Sequence, residues 1–221
     1  MHMNVLLVGG SPEQCSVELL RRLAGAVDKV VAVDRGLDPL LASGVAVDLF
    51  CGDVDSVGEA GRHLVDGCDP SSAEDAPFEI ERYNPHKDFT DLDLALKAIK
   101  SRWGSAHLLT TCLEGGLPDH FLAVMGRLIS WEGEVELIHN GRIGRILKAG
   151  QTWNVGDYQG SRFSFVSLSE ISEVSERRMR WELDHKRAPL LSDLGISNEL
   201  DYSDGSITCH MGTIVAWVFL R

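Results

Sequence analysis

The run Asn4-Val5-Leu6-Leu7-Val8-Gly9-Gly10-Ser11-Pro12 decides the fold. Residues 4–8 are apolar and strand-like, and the glycine pair breaks the run. Ser11 and Pro12 then open a helix, with serine as N-cap and proline at the first helical position. Val17, Leu20, Ala24 and Val27 mark the buried stripe of that helix. The same alternation recurs downstream. Residues 29–33 (KVVAV) form a strand and residues 37–43 a short helix closed by Gly44. Residues 47–51 (VDLFC) are a third strand and residues 78–83 a fourth, after a loop at 71–76. A helix over 91–103 carries Leu92, Ala95, Leu96, Ile99 and Trp103 on one face and ends at Gly104. Strand 106–110, helix 119–131 and strand 135–138 follow. Strands alternating with helices predict a mainly parallel sheet covered by helices on both faces.

Beyond Asn140-Gly141 the pattern changes. Residues 162–168 alternate with period two, and residues 207–210 and 213–220 read as a terminal hairpin around Met211-Gly212. Helical periodicity is almost absent, which predicts a small antiparallel β-domain, a sandwich. So short a chain makes a thin core, and the domain is expected to pack on a partner surface. The expected division is an α/β domain over 1–142 and a β-sandwich domain over 143–221.

The 221 residues carry a net charge of −12. Nucleic-acid binders are usually basic, so none is expected here. An anionic ligand such as a nucleotide needs local help, from a metal ion, backbone amides or a few cationic side chains. No apolar run reaches the ~18 residues that span a bilayer. Residues 1–8 lack the features of a signal peptide. Cysteines 15, 51, 68, 112 and 209 are odd in number and form no CxxC pair. They are neither a disulfide framework nor a zinc site, and free thiols in a reducing cytoplasm are the expected state.

In an open α/β sheet, ligands bind beyond the carboxyl ends of the strands. Acidic residues gather at those ends. Asp34 follows KVVAV; Asp53 and Asp55 follow VDLFC. In extended backbone their carboxylates lie ~6.6 Å apart on one side. Their repulsion is roughly 2–3 kcal/mol at an effective dielectric of ~20, which a divalent cation turns into attraction. Oxygen ligands suit Mg²⁺, although a solvated acidic turn is the commoner meaning of an isolated DxD. Lys87-Asp88-Phe89-Thr90-Asp91-Leu92-Asp93 opens the 91–103 helix. Asp88 or Thr90 caps it and acids in the first turn complement its dipole; alternatively, Lys87 meets a phosphate and Asp91 a metal. Glu114-Gly115-Gly116-Leu117-Pro118-Asp119-His120 joins a strand to a helix, where paired glycines and the helix start favour an anion. Asp119 is equally an N-cap there. Gly9-Gly10-Ser11 is a similar junction that matches neither GxGxxG nor GxxxxGK[ST]. In the C-terminal part, Trp181 is either core or an aromatic face for a cationic ring. Ser197-Asn198 is a turn or a pair of polar groups that read a heterocycle's edge.

Taken in order, Val33-Asp34-Arg35-Gly36, Gly52-Asp53-Val54-Asp55-Ser56, Lys87-Asp88-Phe89-Thr90-Asp91, Gly115-Gly116-Leu117-Pro118-Asp119-His120, Arg180-Trp181-Glu182-Leu183 and Ser197-Asn198-Glu199 resemble the motifs of thiamine pyrophosphokinases. The resemblance spans nearly the whole chain, and GDxDS followed by KDxTD is its most specific part. It implies an N-terminal Rossmann-like three-layer α/β domain and a C-terminal antiparallel β-sandwich. It also implies a cytoplasmic homodimer with active sites at the subunit interface, and transfer of pyrophosphate from ATP-Mg²⁺ to thiamine with release of AMP. By motif position it implies Asp53, Asp55 and Asp91 as the Mg²⁺ and phosphate centre. With Asp119, these are the catalytic acids; Asp91 or Asp119 would accept the hydroxyl proton. Asp34, Arg35, Ser56, Lys87, Asp88, Thr90, Gly116 and His120 surround ATP. Trp181, Ser197 and Asn198 hold thiamine.

The sequence departs from the family pattern in three places. Val33-Asp34-Arg35-Gly36 stands where the family has ADGG. Leu117 replaces an arginine and Val124 an asparagine. The missing arginine removes a bidentate phosphate partner, and Arg35 is the candidate replacement. Pyrophosphoryl transfer to another alcohol, such as a pterin, and a catalytically weak thiamine or nucleotide sensor are the alternative readings.

Overall fold

The computed structural model describes residues 3–67, 77–82 and 90–221. Residues 71–76, Tyr83, Lys87 and Asp88, for which a loop, a strand end and ligand contacts are expected, lie outside them. The chain divides into two compact units, Met1–Val135 and Glu136–Arg221.

The first unit is α/β. Strands β1 (Asn4–Val8), β2 (Lys29–Val33), β3 (Leu49–Gly52), β4 (Glu79–Arg82) and β5 (His107–Thr111) pair in parallel in the order β5-β1-β2-β3-β4. Val5, Leu6, Leu7 and Val8 are all fully buried. Successive strand residues point to opposite faces, so β1 is covered on both sides, the condition for a parallel sheet. The helices are α1 (Val17–Ala24), α2 (Leu37–Ala42), α3 (Glu59–Asp66), α4 (Asp91–Trp103) and α5 (Pro118–Ile129). In α4 the stripe Leu92, Ala95, Leu96 and Ile99 is buried, as its spacing predicts, and the helix packs on β2 and β3.

Several local expectations fail. The first helix begins at Val17, capped by the Ser16 side chain on Leu19 N–H, not at Ser11-Pro12. The Ser11 hydroxyl instead donates to the Glu114 carbonyl, a partner 103 residues away. Strand β3 starts two residues later than the apolar run. Helix α3, only eight residues long with Gly61 and Val65 buried, is absent from the sequence reading. In α5, Leu117 occupies the N-cap position with no side-chain cap and Pro118 opens the helix, so Asp119 lies in the first turn.

The second unit is an antiparallel sandwich. One sheet contains β6 (Val135–His139), β7 (Arg142–Lys148), β14 (Thr213–Phe219), β9 (Arg162–Ser167) and β12 (Asn198–Glu199), in that order. The other runs β8 (Gln151–Asn154), β13 (Ser206–Met211), β10 (Ile171–Arg177), β11 (Leu183–Pro189). Trp153, Phe163, Phe165, Val174, Ile207 and Val218 form the core between them. Strands β13 and β14 exist, but they are not a hairpin. β13 pairs with β10 and β8, whereas β14 pairs with β7 and β9. The turn at Gly212 therefore carries the chain from one sheet to the other. A Cβ at this residue, whose φ is 79°, would meet the Ser172 hydroxyl at 2.7 Å and the Ile171 carbonyl at 2.9 Å. The close crossing needs glycine.

Candidate functional site

Three non-glycine residues of the first unit have left-handed backbone: Asp34 (φ 48°), Val54 (φ 69°) and Cys112 (φ 53°). Each lies just beyond the carboxyl end of a parallel strand, β2, β3 and β5. Such backbone is uncommon, least expected for β-branched valine, and clusters where a site is being shaped. Here it turns the chain sharply at the strand ends, where ligands bind in this kind of sheet.

A cavity of about 750 Å³ opens there. Gly9, Gly10 and Ser11 contribute one loop, Gly115 and Gly116 another, and Asp34, Arg35, Ser56, Thr90, Asp91, Asp119 and His120 complete its polar lining. Leu92, Leu113, Leu117, Ala123 and Val124 supply apolar wall. Among the described residues, then, the sequence-derived positions Asp34, Arg35, Ser56, Thr90, Asp91, Gly116, Asp119 and His120 share one cavity. Asp53 and Asp55 are not in its lining. They adjoin it through the Asp53 N–H, which donates to Asp34 Oδ1 at 3.3 Å.

The acids crowd one another. The Asp34 carboxyl is pushed up to about 8, first by burial and then by a hydrogen bond and like charge from Asp91, with Asp53 adding to it. Two carboxyls this close share a proton more readily than they ionise together. Gly52 makes the crowding possible: a Cβ on it would fall 2.0 Å from Asp34 Oδ1. Backbone through 53–55 is not extended, as the sequence reading supposes. Val54 turns it, Asp53 Oδ1 accepts from the Asp55 N–H at 3.2 Å, and the neighbouring Asp53 carboxyl raises Asp55. The acid turn has two supports the sequence did not reveal. Arg62 of α3 donates to the Asp55 and Val57 carbonyls at 3.2 and 3.1 Å, and both Asp38 oxygens accept from Gly58 N–H. Thr90 caps α4 by accepting from Asp93 N–H at 3.3 Å, which leaves Asp91 at the first helical position facing the cavity. Asp93 points elsewhere and pairs with Lys97 and Arg127.

Arg35 is the only described lining residue with a permanent positive charge. Its guanidinium has no hydrogen-bond or ion-pair partner among the described residues. Cys112 also lines the cavity, but its hydrogen bond with Cys15 and then burial hold its thiol far above the range in which a thiolate forms.

In the second unit the three remaining positions lie together. Trp181 is 58% exposed, in the turn between β10 and β11. The Arg180 guanidinium lies 5.8 Å from its ring centre. Asn198, on β12, is buried and hydrogen-bonds the Trp181 backbone on both sides. Ser197 is exposed with φ 66°, its N–H held by the Ser164 hydroxyl at 3.0 Å. The Asn198 amide also reaches Glu176, a buried acid that the sequence reading passed over.

Comparison with known proteins agrees with this architecture. A thiamine pyrophosphokinase of Bacillus subtilis is 29% identical over 227 residues, covering 95% of each chain. The crystal structure of thiamine pyrophosphokinase from Bacillus subtilis superposes with a TM-score of 0.78 at 25% identity over 99% of both chains. That of thiamin pyrophosphokinase from Candida albicans has the same fold, with a TM-score of 0.81 at 14% identity, covering all of this chain and 90% of the other. The family described as thiamin pyrophosphokinase, catalytic domain, matches residues 20–138. With more than half of its length in that match, the chain belongs to the thiamin pyrophosphokinase family.

Proposed function

We propose that this chain transfers the pyrophosphoryl group of ATP to the primary hydroxyl of thiamine, releasing AMP. The observation that carries the reading, in a chain of this family, is the crowded acid pair Asp34–Asp91. It faces a cavity that the two glycine loops and Arg35, without a partner among the described residues, also line. The hydroxyl oxygen attacks the β-phosphorus, the bond to the α,β-bridging oxygen breaks, and AMP leaves with the electron pair. Asp91, or Asp119 on the facing helix start, accepts the hydroxyl proton. The work of the protein is positioning and charge balance. Gly9-Gly10-Ser11 and Gly115-Gly116 let backbone approach the phosphates, with Ser56, Thr90 and His120 around them. Arg35 supplies the fixed positive charge that Leu117 does not. Lys87 and Asp88 are assigned to ATP by their motif positions.

A divalent cation fits this acid set. Among the described residues no three His, Cys, Asp or Glu side chains are already arranged to hold a metal ion. The acids instead form hydrogen-bonded pairs, Asp34 with Asp91 and Asp53 with Asp55. Mg²⁺ commonly takes one or two carboxylates and completes its shell with water and substrate phosphate, so pairs suffice. Asp53, Asp55 and Asp91 would hold it. Bound there, it supplies charge neutralisation for the phosphate oxygens and the departing AMP.

Trp181, Ser197 and Asn198 form the thiamine-recognising part, with the indole face offered to the cationic ring. The chain acts as a homodimer with active sites at the subunit interface. Leu190, Leu191 and Ile196 support this: they are large apolar residues of the second unit that stand exposed and that a partner surface would cover. No helix among the described residues is long and apolar enough to cross a membrane.

The deciding experiment measures AMP release from the purified protein with ATP, Mg²⁺ and thiamine, omitting each in turn. AMP formed only with all three is the expected result. One observation favours a second reading, a binding protein with little turnover: Leu117 stands exposed in the cavity wall where the resembled motif has arginine. A rise in melting temperature with thiamine alone, without AMP, would establish that instead.

A further inference from the structure

Glu176 lies on β10 in the interior of the sandwich and is 2% exposed. Isolated carboxylates rarely occupy such places, because desolvation is costly. Its Oε2 accepts from Asn198 Nδ2 at 3.1 Å. Its Oε1 has no hydrogen-bond partner among the described residues. Asn198 is itself fully engaged. Nδ2 also donates to the Trp181 carbonyl at 2.7 Å, while Oδ1 accepts from Trp181 N–H at 3.2 Å and Glu199 N–H at 2.8 Å. Both donors and both acceptors of the amide are thus taken by protein. Only one orientation of the amide fits. A flipped amide would turn its NH₂ toward two backbone N–H groups and its oxygen toward a carbonyl and a carboxylate. The amide bonds Trp181 at both its N–H and its carbonyl, so it closes the turn from which the indole projects.

We propose that Glu176 is a positioning residue for thiamine: through the Asn198 amide it holds the turn between β10 and β11 (residues 178–182) in the conformation that presents Trp181. It rests on the reading above that Trp181 faces thiamine. Asn198 then acts on the turn and leaves ligand contact to Trp181 and Ser197. The chemistry explains the choice of residue. The second N–H of Asn198 is buried and needs an acceptor. With an aliphatic side chain at 176 that N–H keeps only the weak Met179 Sδ acceptor at 3.7 Å, so the amide would rotate toward a better one and release the turn.

The test compares E176L, E176M, E176Q and W181A by thiamine Kd, from calorimetry without ATP, and by KM for thiamine and for ATP. E176L relieves the desolvation of a buried acid but takes the acceptor from one buried Asn198 N–H; the two offset, and its melting temperature is expected to stay within a few degrees of the parent. Its thiamine Kd and KM rise about tenfold, the loss of one hydrogen bond to a charged group, while kcat and the KM for ATP stay within twofold. E176Q keeps an acceptor oxygen and stays within twofold of the parent in Kd. E176M, unbranched, repeats the E176L result and serves where leucine does not pack. A W181A variant that loses thiamine binding, beside E176L and E176M variants that keep it, would overturn the positioning role and leave the reading of Trp181 intact. W181A with unchanged thiamine Kd would overturn that reading and this inference with it.

Discussion

The turn at 53–56 and the turn at 178–182, with Glu176 on the strand that leads into it, each gather acidic groups and backbone amides, with opposite results. In the first, acid faces acid: Asp34 meets Asp91 and Asp53, Asp53 meets Asp55, and Asp34 and Asp55 are raised by the company they keep. In the second, a neutral amide stands between a buried acid and the backbone, and every polar position of Asn198 is satisfied. The first turn is electrostatically unfinished and waits for a cation and phosphates. The second is closed and holds a shape. A site that moves charge keeps its imbalance until the ligand arrives; a site that recognises a ring is rigid beforehand.

The largest expected effect breaks the first side of that comparison. Asp91→Asn removes a charge and a proton acceptor while keeping the side chain's volume. AMP release is expected to fall about 10²–10³-fold in kcat. The melting temperature at pH 8 rises by a few degrees, because the like charge beside Asp34 is gone. Near-normal turnover would remove Asp91 from the reaction.

The second expectation concerns pH. Burial pushes Glu176 up to about 7, opposed in part by the Asn198 hydrogen bond. An acid with a raised native pKa binds its proton more tightly folded than unfolded. Its contribution to stability is therefore full below about pH 4.5 and is lost as pH rises through about 7. The scale is about 3 kcal/mol at most. Denaturant melts between pH 4.5 and 8 are expected to slope downward for the parent and less steeply for E176L, where the raised Asp34 carboxyl still contributes. Equal slopes in both would show that Glu176 contributes nothing to the pH dependence.

Arg35→Ala sharpens the contrast. Arg35 lines the cavity but has no partner among the described residues, so its removal leaves stability unchanged. The KM for ATP is expected to rise ten- to hundredfold, the worth of one or two hydrogen bonds to phosphate. Normal ATP affinity would return the question of what replaces the arginine at 117.

The smallest expected effect tests the scaffold of the closed turn. Gly212→Ala places a Cβ against Ser172 and the Ile171 carbonyl on residue 212's left-handed backbone. It is expected to cost about 1–2 kcal/mol, a melting temperature lower by roughly 5 °C, with thiamine KM unchanged.

Much of this was legible in the residues. Four aliphatics followed by paired glycines mark β1. The spacing of Leu92, Ala95, Leu96 and Ile99 marks α4, and Thr90 its cap. Asp34, Asp53 and Asp55 stand directly after apolar runs, and the cavity lies at those strand ends, beside the acids. Each of these is a local property, set by side-chain size, periodicity and capping chemistry within a few residues. Other features depend on neighbours distant in the chain. Ser11 looks like an N-cap until the Glu114 carbonyl takes its hydroxyl, leaving Ser16 to start the helix. Met211-Gly212 looks like a hairpin turn because a turn does not specify which strands its arms will join; here β10 and β7 claim them for different sheets. Glu176 lies in a segment to which the sequence assigns no element, and only the packing of two sheets buries it beside Asn198. The chain itself determined which segments are strands and helices and which acids reach the strand ends, because propensity and period act locally. Tertiary structure decided which carboxyls share a proton and which amide is closed, because desolvation and hydrogen-bond partners exist only once distant segments meet.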